Sequence, residues 1–290
     1  MTRQNPQIAR YKKLLSFIDN HLKEDINIQK VEEVCHYSYR NINRIFEAIH
    51  HQTIGKYIKR LRLEKAAQYL KYSDMGVAEI AYEIGFEERA AFNKAFKNKY
   101  GCSPSSFRKS GEAMREMIQQ SLLPAEGTER QRLQFEIEYL PDFEFIFLEY
   151  RGDYKDFASI DHTWGQLVNY ATEQQLLSNQ SIFMTEIIDD AEISDHINSR
   201  YNQALILEEP LGIEPEGLFR INSHKRQKYA KFTHQCSHES CIDFYQEIYA
   251  FWMLDVGLEL VDLSLLEFYP NFDEKLPESE LLTEVYIPVK

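Results

Sequence analysis

The chain has 290 residues, 43% of them hydrophobic, and a formal net charge of −13. This length exceeds one typical domain, and no stretch approaches the roughly 18 uncharged apolar residues of a membrane span. The N-terminus has no apolar run typical of a signal peptide, and the four cysteines lack CxxC spacing. We therefore expect a cytoplasmic protein without a disulfide framework.

The charge is unevenly distributed along the chain. Residues 1–110 contain 20 Lys and Arg against 12 Asp and Glu, a formal charge of +8. Residues 111–290 contain 13 against 34, a charge of −21. A basic domain suits a polyanion, whereas the acidic part would be repelled by DNA. The split predicts two domains with different partners.

The N-terminal third predicts helices almost throughout. Apolar residues recur at steps of three and four from Ile8 to Leu22, which indicates one apolar helix face. Asn27 can cap a short helix, a turn follows at 35–37, and Ser38 can cap the next helix. A short helix, a tight turn and a second amphipathic helix form the helix-turn-helix pattern.

The same pattern returns about 50 residues later, with a short helix, a turn at 85–86 and a second helix over 88–100. The segments 42–46 and 92–96 share one scheme of residue types: apolar, Asn, basic, apolar, Phe. Between the two units, the apolar pattern predicts a longer helix over 57–69.

These residues carry a family resemblance. The stretch IGKYIKRLRLEKAAQYL, followed by VAEIAYEIGFEERAAFNKAFKNKYGCSPSSFRK, resembles the DNA-binding domain of AraC/XylS-type regulators. The resemblance implies two helix-turn-helix units joined by a long helix, with both recognition helices in successive major-groove segments of double-stranded DNA. The sequence departs from the family at His36 and His51, where Gly is frequent, at Glu32, where a small residue is usual, and at 87–88, where two Glu start the second helix.

We predict base-reading residues in the N-terminal half of each recognition helix. The candidates are Tyr39, Arg40, Asn43 and Arg44 in the first helix and Arg89, Ala90, Asn93 and Lys94 in the second. Arg and Lys suit guanine edges, Asn suits adenine, and Ala can contact a thymine methyl group. The alternative for Arg44 and Lys94 is phosphate contact alone, since phosphates take half or more of protein–DNA hydrogen bonds.

Polar residues with Gly and Pro over 111–132 predict a linker between a domain at 1–110 and another at 133–290. Beyond the linker the period of the apolar residues changes from that of helices to that of strands. Strong alternation in LQFEIEYLPDFEFIFLEY predicts two paired strands, with a turn at 141–142.

A repeated order of elements follows. The predicted elements are helix 157–175, strands 182–188 and 203–207, strand 229–233, helix 242–254, and strands 264–269 and 282–288. We therefore expect a multidomain protein, in which an all-α double helix-turn-helix domain is followed by an α+β domain of two strand-helix-strand-strand repeats.

The second domain resembles the gyrase-inhibitor-like, drug-sensing effector-binding domains of bacterial regulators. The matching motifs are LEYRGDY at 148–154, RYN at 200–202, KYAKFTH at 228–234, LEFYP at 266–270 and TEVYIPV at 283–289. The resemblance implies a cleft of aromatic side chains around a carboxylate, and the matching carboxylate is Glu267. One departure is Cys236, where the second repeat often has Gly.

The candidate ligand-binding residues are Glu267 and the aromatic residues Tyr150, Trp164, Tyr201, Phe232, Trp252 and Tyr269. A buried Glu costs several kcal/mol unless something compensates its charge. A cationic ligand stacked on aromatic rings would compensate it. The alternative is that Glu267 faces solvent on an alternating strand.

The segment HQCSHESC contains four candidate metal ligands, His234, Cys236, His238 and Cys241. His and Cys are good zinc ligands, but this spacing matches no standard zinc motif. We therefore expect no metal and no cofactor.

Together the two resemblances predict a DNA-binding transcription regulator that is not an enzyme. Its second domain would sense a small effector, apolar or cationic and aromatic, and its macromolecular partners would be double-stranded DNA and RNA polymerase, with no membrane partner. Two alternatives remain open. One is hydrolysis of small molecules with Glu267 as general base. The other is a protein-interaction module in which the acidic half binds a basic partner.

Overall fold

The computed structural model describes residues 6–111, 134–189, 193–194, 198–235, 244–245, 248, 261–271 and 276–290. The chain divides into two units, one in the N-terminal third and one in the remaining part. No described helix has an apolar stretch of the length that a bilayer crossing needs.

The N-terminal unit is helical. Its elements are α1 (Pro6–His21), α2 (Ile28–Cys35), α3 (Tyr39–His50), α4 (Ile54–Tyr72), α5 (Val77–Glu83), α6 (Arg89–Tyr100) and α7 (residues 104–111). The two predicted helix-turn-helix units are α2–α3 and α5–α6, and α4 is the predicted long helix between them.

Left-handed residues end the helices of both units. His36 ends α2 with φ of 48°, and His51 ends α3 with φ of 53°. In the second unit Gly85 and Gly101 have φ of 79° and 75°. A left-handed non-Gly residue costs on the order of 1 kcal/mol, which explains physically why Gly suits positions 36 and 51.

The start of α3 differs from the prediction. Ser38 is at the N-cap position, but its side chain makes no capping hydrogen bond. The carboxylate of Glu32 accepts the hydrogen bond from the Tyr39 N–H instead, at 2.7 Å. The prediction that the Ser38 side chain caps α3 was therefore wrong. The tight turn brings Glu32 of α2 close to the Tyr39 N–H, and the longer Glu side chain accepts that hydrogen bond instead.

Aromatic side chains dominate the core of each helical unit. In the first unit Phe46 and Tyr57 are fully buried, with ring centroids 5.0 Å apart. In the second unit Phe92 and Phe96 are fully buried, and Phe96 packs edge-on against Phe107 at 5.4 Å. Phe46 and Phe96 are equivalent positions of the repeat, so the repeated Phe is a core residue in both units.

The C-terminal unit of the chain is built around one antiparallel sheet. Its elements are β1 (Glu136–Leu140), β2 (Phe143–Arg151), α8 (Phe157–Glu173), β3 (Phe183–Ile187), β4 (Arg200–Ile206), β5 (Arg220–His224), β6 (Gln227–Gln235), β7 (Leu265–Phe268) and β8 (Leu282–Pro288). The described residues 244, 245 and 248 of the predicted helix 242–254 are helical, and the rest of that range lies outside the described residues.

The strand order is β1-β6-β8-β7-β3-β4-β2-β5. The first repeat is β2-α8-β3-β4, and the second is β6, the helical residues near 245, β7 and β8. The two repeats meet where β7 pairs with β3, in the middle of the sheet. This is the α+β arrangement of two strand-helix-strand-strand repeats that the sequence predicts.

The predicted pairing of the first two strands was wrong. β1 pairs with β6, and β2 pairs with β4 and β5. The sequence pattern also missed β5. Each strand that precedes a repeat therefore pairs with the first strand of the other repeat: β1 with β6, and β5 with β2. The turn at 141–142 carries the chain between repeats, and the Arg226 N–H donates to its Asp142 carboxylate at 2.6 Å.

The two faces of the sheet carry different cores. One face contains buried residues such as Phe147, Met184 and Phe268. On the other face, Phe244 and Ile248 of the second-repeat helical segment pack on Phe232 and Val285. Because neighbouring residues of a strand point to opposite faces, Glu267 lies on the face with Phe244, between the inward residues Leu266 and Phe268.

Candidate DNA interface and candidate effector site

The recognition helices α3 and α6 present basic side chains to solvent. In α3, Arg40 and Arg44 are exposed and lie one turn apart. In α6, Arg89, Ala90 and Lys94 are exposed. These residues have the free surface that a contact with base edges or phosphates requires.

The predicted residues Asn43 and Asn93 are only half-buried, but their side-chain oxygens are turned into the fold. The Oδ1 atom of Asn43 accepts a hydrogen bond from the Ile54 N–H at 2.9 Å, at the start of α4. The Oδ1 atom of Asn93 is buried and has no hydrogen-bond partner among the described residues. A bidentate contact with adenine needs both the oxygen and the nitrogen of the amide, so neither side chain can make one in this orientation.

Tyr39, the remaining candidate in α3, packs partly against the core of the first unit. Burial and the nearby Glu47 carboxylate raise the pKa of its hydroxyl group. Its equivalent in the second unit is the exposed Arg89, so the first position of the recognition helix is used differently in the two units. The acidic residues Glu87 and Glu88 are exposed just before α6.

A buried ion-pair cluster holds α6 against the long helix α4. Glu64 of α4 is 3% exposed and accepts hydrogen bonds from Arg60 at 2.8 Å and from Lys99 of α6 at 3.1 Å. Lys99 is part of the recognition helix, so this cluster fixes the position of α6. The sequence pattern did not indicate it, because Lys99 is 35 residues away from Glu64 in the chain.

In the C-terminal unit Glu267 lies on the central strand β7, between Thr185 of β3 and Val285 of β8. Its two carboxylate oxygens accept hydrogen bonds from two tyrosine hydroxyl groups, Tyr245 at 2.5 Å and Tyr269 at 2.6 Å. The Tyr269 hydroxyl is also 2.7 Å from the Thr185 hydroxyl. The carboxylate is half-buried and held in a fixed orientation.

Aromatic rings flank this carboxylate. Trp164 of α8 packs edge-on against Tyr269, with ring centroids 5.8 Å apart, and against Phe183 at 5.9 Å. The structure therefore brings together three of the predicted ligand-binding residues, Glu267, Trp164 and Tyr269. It adds Tyr245 and Thr185, which the sequence analysis missed. The sequence feature that could have pointed to Tyr245 is its place on the predicted helix 242–254, next to the apolar residue Phe244.

Two further predicted residues, Tyr150 and Tyr201, form a separate aromatic stack on the same face. Their ring centroids are 6.1 Å apart, and Tyr154 stacks on Tyr201 at 6.3 Å. The Tyr150 hydroxyl donates to the Asp153 carbonyl at 3.0 Å. Gly152 allows the chain to pass this ring, since a Cβ atom there would collide with it. Burial raises the pKa of Tyr201.

Of the two remaining predicted aromatic residues, one is a core residue and the other lies outside the described residues. Phe232 is fully buried and packs against Phe135, with ring centroids 5.6 Å apart, so it belongs to the core. Trp252 lies outside the described residues. Of the four candidate metal ligands, only His234 lies among the described residues, and its ring stacks on Phe244, with ring centroids 4.6 Å apart. The described residues contain no cluster suited to a metal ion, and the expected absence of a metal stays a prediction.

Comparison with known proteins agrees with both halves of this architecture. A family described as a helix-turn-helix domain matches residues 32–110, and the GyrI-like small molecule binding domain matches residues 133–290. The regulatory protein SoxS of Salmonella typhimurium is 32% identical over 95 residues, which are 33% of this chain and 89% of SoxS. The probable transcription factor PqrA of Proteus vulgaris is 32% identical over 100 residues, 34% of this chain and 82% of PqrA.

Among solved structures, the C-terminal domain of EcmrR is 18% identical, with a TM-score of 0.44, and is similar over 55% of this chain and 98% of that domain. Two helix-turn-helix units and a small-molecule-binding domain define a DNA-binding transcription regulator. The chain belongs to the AraC-type regulators that carry a C-terminal GyrI-like small molecule binding domain.

Proposed function

We propose that the C-terminal unit binds a small aromatic cation at Glu267, and that binding changes how the regulator acts on transcription. The observation that carries this proposal is the half-buried Glu267 carboxylate beside Trp164 and Tyr269. A fixed negative charge next to aromatic rings favours a cation that can stack on those rings. The domain's excess of acidic residues also attracts cations, although salt screens that effect beyond about 8 Å.

The proposed contacts are Glu267, Tyr245, Trp164 and Tyr269, with Tyr150 and Tyr201 as a second aromatic wall for a larger ligand. The two functional domains are proposed to span residues 1–110 and 133–290. The exposed residues Arg40, Arg44, Arg89, Ala90 and Lys94 are the proposed DNA contacts. We expect the regulator to act in the cytoplasm and to contact RNA polymerase, and a typical coupling between two such sites is about 1–3 kcal/mol.

We also propose that the site binds its ligand without chemical turnover. The relatives that the helix-turn-helix part of this chain matches are named as a regulatory protein and a probable transcription factor, which supports a sensing role for the fused second domain. Chromatography after long incubation with candidate cations and their esters tests this point, because hydrolysis that Glu267→Gln abolishes would instead support the enzyme alternative.

Calorimetry on the full chain at physiological ionic strength tests the binding proposal. Ethidium is the cationic probe, and phenanthridine, its neutral parent ring, is the matched ligand. Glu267→Gln keeps the shape of the side chain but removes its charge. We expect the variant to bind ethidium about tenfold more weakly and phenanthridine nearly as well as the wild type does.

The control variant is Glu209→Gln, which removes the same charge from an exposed position of the same unit. It is expected to bind both ligands like the wild type. Equal binding of ethidium to wild type and Glu267→Gln would contradict the proposal. An equal loss in Glu209→Gln would show that only the net charge of the unit attracts cations.

A further inference from the structure

One arginine connects the two helix-turn-helix units. Arg62 lies in the middle of α4, the helix that leads from the first unit to the second. Its Nε donates to the Leu22 carbonyl at 2.8 Å and its Nη1 to the Gly85 carbonyl at 3.1 Å. Its Nη2 donates to the Glu24 carbonyl. A single guanidinium group thus binds three backbone carbonyls, two in the corner between α1 and α2 and one in the turn between α5 and α6.

The position of these carbonyls matters for DNA binding. Leu22 and Glu24 belong to the corner between α1 and α2, directly before the first helix-turn-helix unit. Gly85 belongs to the turn between α5 and α6, directly before the second recognition helix. Because the guanidinium is planar and its donors have a fixed geometry, it restricts both distance and angle between corner and turn.

Two further contacts support this junction. The Lys23 ammonium group pairs with Glu83 at the end of α5, at 2.9 Å. Gly85 has a left-handed backbone, and a Cβ atom there would lie 2.9 Å from the Lys23 carbonyl oxygen and 3.0 Å from Cζ of Arg62. Glycine therefore lets the turn of the second unit lie directly against the corner of the first and against the arginine.

We propose that Arg62 is a positioning residue that sets the spacing between the two DNA half-sites read by α3 and α6. It does not contact DNA in this role. It holds the two units at one separation and one angle, so that both recognition helices fit the major groove only when their half-sites are correctly spaced. Without this junction, packing on α4 and the Glu64–Lys99 ion pair would still hold α6 on the helix, but nothing would tie the turn before α6 to the corner before α2. A shifted spacing would then cost less affinity.

The spacing dependence of DNA binding tests the proposal. The full-length wild-type chain first selects its preferred duplex from a randomised library. One base pair is then inserted or deleted between the half-sites, which moves one half-site by about 3.4 Å and about 35°. We expect the wild type to lose about tenfold or more in affinity, as for a lost base contact. Arg62→Met is expected to lose less than about threefold on the same change, a difference too small to correspond to a lost half-site.

Arg108→Met is the matched control. Arg108 also donates to two carbonyls, Leu70 at 3.4 Å and Met75 at 2.7 Å, but these lie at the end of α4 and just after it. Its loss removes a similar set of hydrogen bonds and should leave the wild-type spacing penalty intact. If Arg62→Met does not fold, as judged by circular dichroism, Arg62→Lys makes the same comparison, since it keeps the charge and lacks the planar fork.

The proposal is overturned by any of three results: a wild type that tolerates the shifted spacing, an Arg62 variant with the wild-type penalty, or an Arg108→Met variant whose penalty is reduced as much as that of Arg62→Met.

Discussion

Asn43 and Ile54 are joined by a hydrogen bond that the second helix-turn-helix unit cannot repeat. The Asn43 Oδ1 atom accepts from the Ile54 N–H at 2.9 Å and so ties the N-terminal half of the recognition helix α3 to the start of α4. The equivalent residues in the second unit are Asn93 and Pro104, and proline has no N–H. This explains why the buried Oδ1 atom of Asn93 finds no partner among the described residues.

The two asparagines should therefore contribute differently to stability. Asn43→Ala leaves the Ile54 N–H without its acceptor and is expected to cost about 1–2 kcal/mol. Asn93→Ala removes an acceptor that is already unpaired and should cost less than about 0.5 kcal/mol. Urea unfolding followed by circular dichroism measures both.

A second variant checks the cause. Pro104→Ala supplies the missing N–H, and in that background Asn93→Ala should cost more than it does in the wild-type chain. Equal costs for Asn43→Ala and Asn93→Ala in the wild-type background would contradict this explanation.

Arg40 and Arg89 should carry sequence preference. Replacing either by Ala is expected to cost roughly 1–3 kcal/mol on the preferred duplex and to relax base choice at one position. Binding to a set of single-base variants of the selected site measures this. A phosphate contact would instead weaken all sequences alike and lower the salt dependence, so uniform losses would assign these residues to the DNA backbone.

Removing the charge of Glu64 should destabilise the helical unit. Arg60 and Lys99 would then keep two cations in a buried cluster without a counter-charge, and we expect Glu64→Gln to cost about 3 kcal/mol. The control is Glu83→Gln at the exposed Lys23 pair, where the side chains are 44% and 43% exposed. That change is expected to cost less than about 1 kcal/mol. Similar losses in both variants would argue against a special role for Glu64.

Glu149, a largely buried glutamate of the C-terminal unit that is paired with arginines, predicts a loss of stability in acid. Burial alone would raise the pKa of Glu149, but Arg151, Arg220 and Arg200 outweigh it and lower that pKa from 4.5 to about 2. Because the folded-state pKa is the lower one, the ionised group stabilises the fold above about pH 4.5. That stability, about 3 kcal/mol, is lost as the pH falls from about 4.5 to about 2.

Tryptophan fluorescence can follow this loss, since both tryptophans of the chain, Trp164 and Trp252, belong to the second unit. Glu149→Gln should lower the free energy of unfolding at pH 7 and flatten its decline below pH 4.5. Glu209→Gln, at an exposed position, should keep the wild-type pH profile. An unchanged acid decline in Glu149→Gln would assign the effect to other carboxylates.

The helices could be predicted from the sequence because their signals are local. Periodicity at three and four residues, together with the turns at 35–37 and 85–86, placed α3 and α6 within one residue of their observed starts. The cap of α3 was missed because Glu32 reaches the Tyr39 N–H only once the turn has formed. The use of Asn43 as a cap was missed for the same reason.

Strand pairing could not be predicted in the same way. The alternation in β1 fits any partner that offers a matching edge, and β6 is far away in sequence. The short strand β5, with the polar sequence RINSH, has almost no alternation to detect. In the site, the resemblance placed Glu267, Trp164 and Tyr269, whereas Phe232 follows the same alternating pattern and is core. Periodicity gives the face of a strand but not what covers that face.

The exchange of leading strands between the two repeats affects the order in which the second unit can form on the ribosome. Glu136 of β1 pairs with Lys231 of β6, so β1 is synthesised long before its partner exists. Until then β1 is a strand with no partner, and it carries the apolar side chains Ile137 and Tyr139, which remain exposed in the folded chain. The first repeat likewise has an unpaired edge at β2 until its edge strand β5 emerges. Neither repeat can complete its sheet without the other, so a chain truncated between them has unpaired edges that favour aggregation.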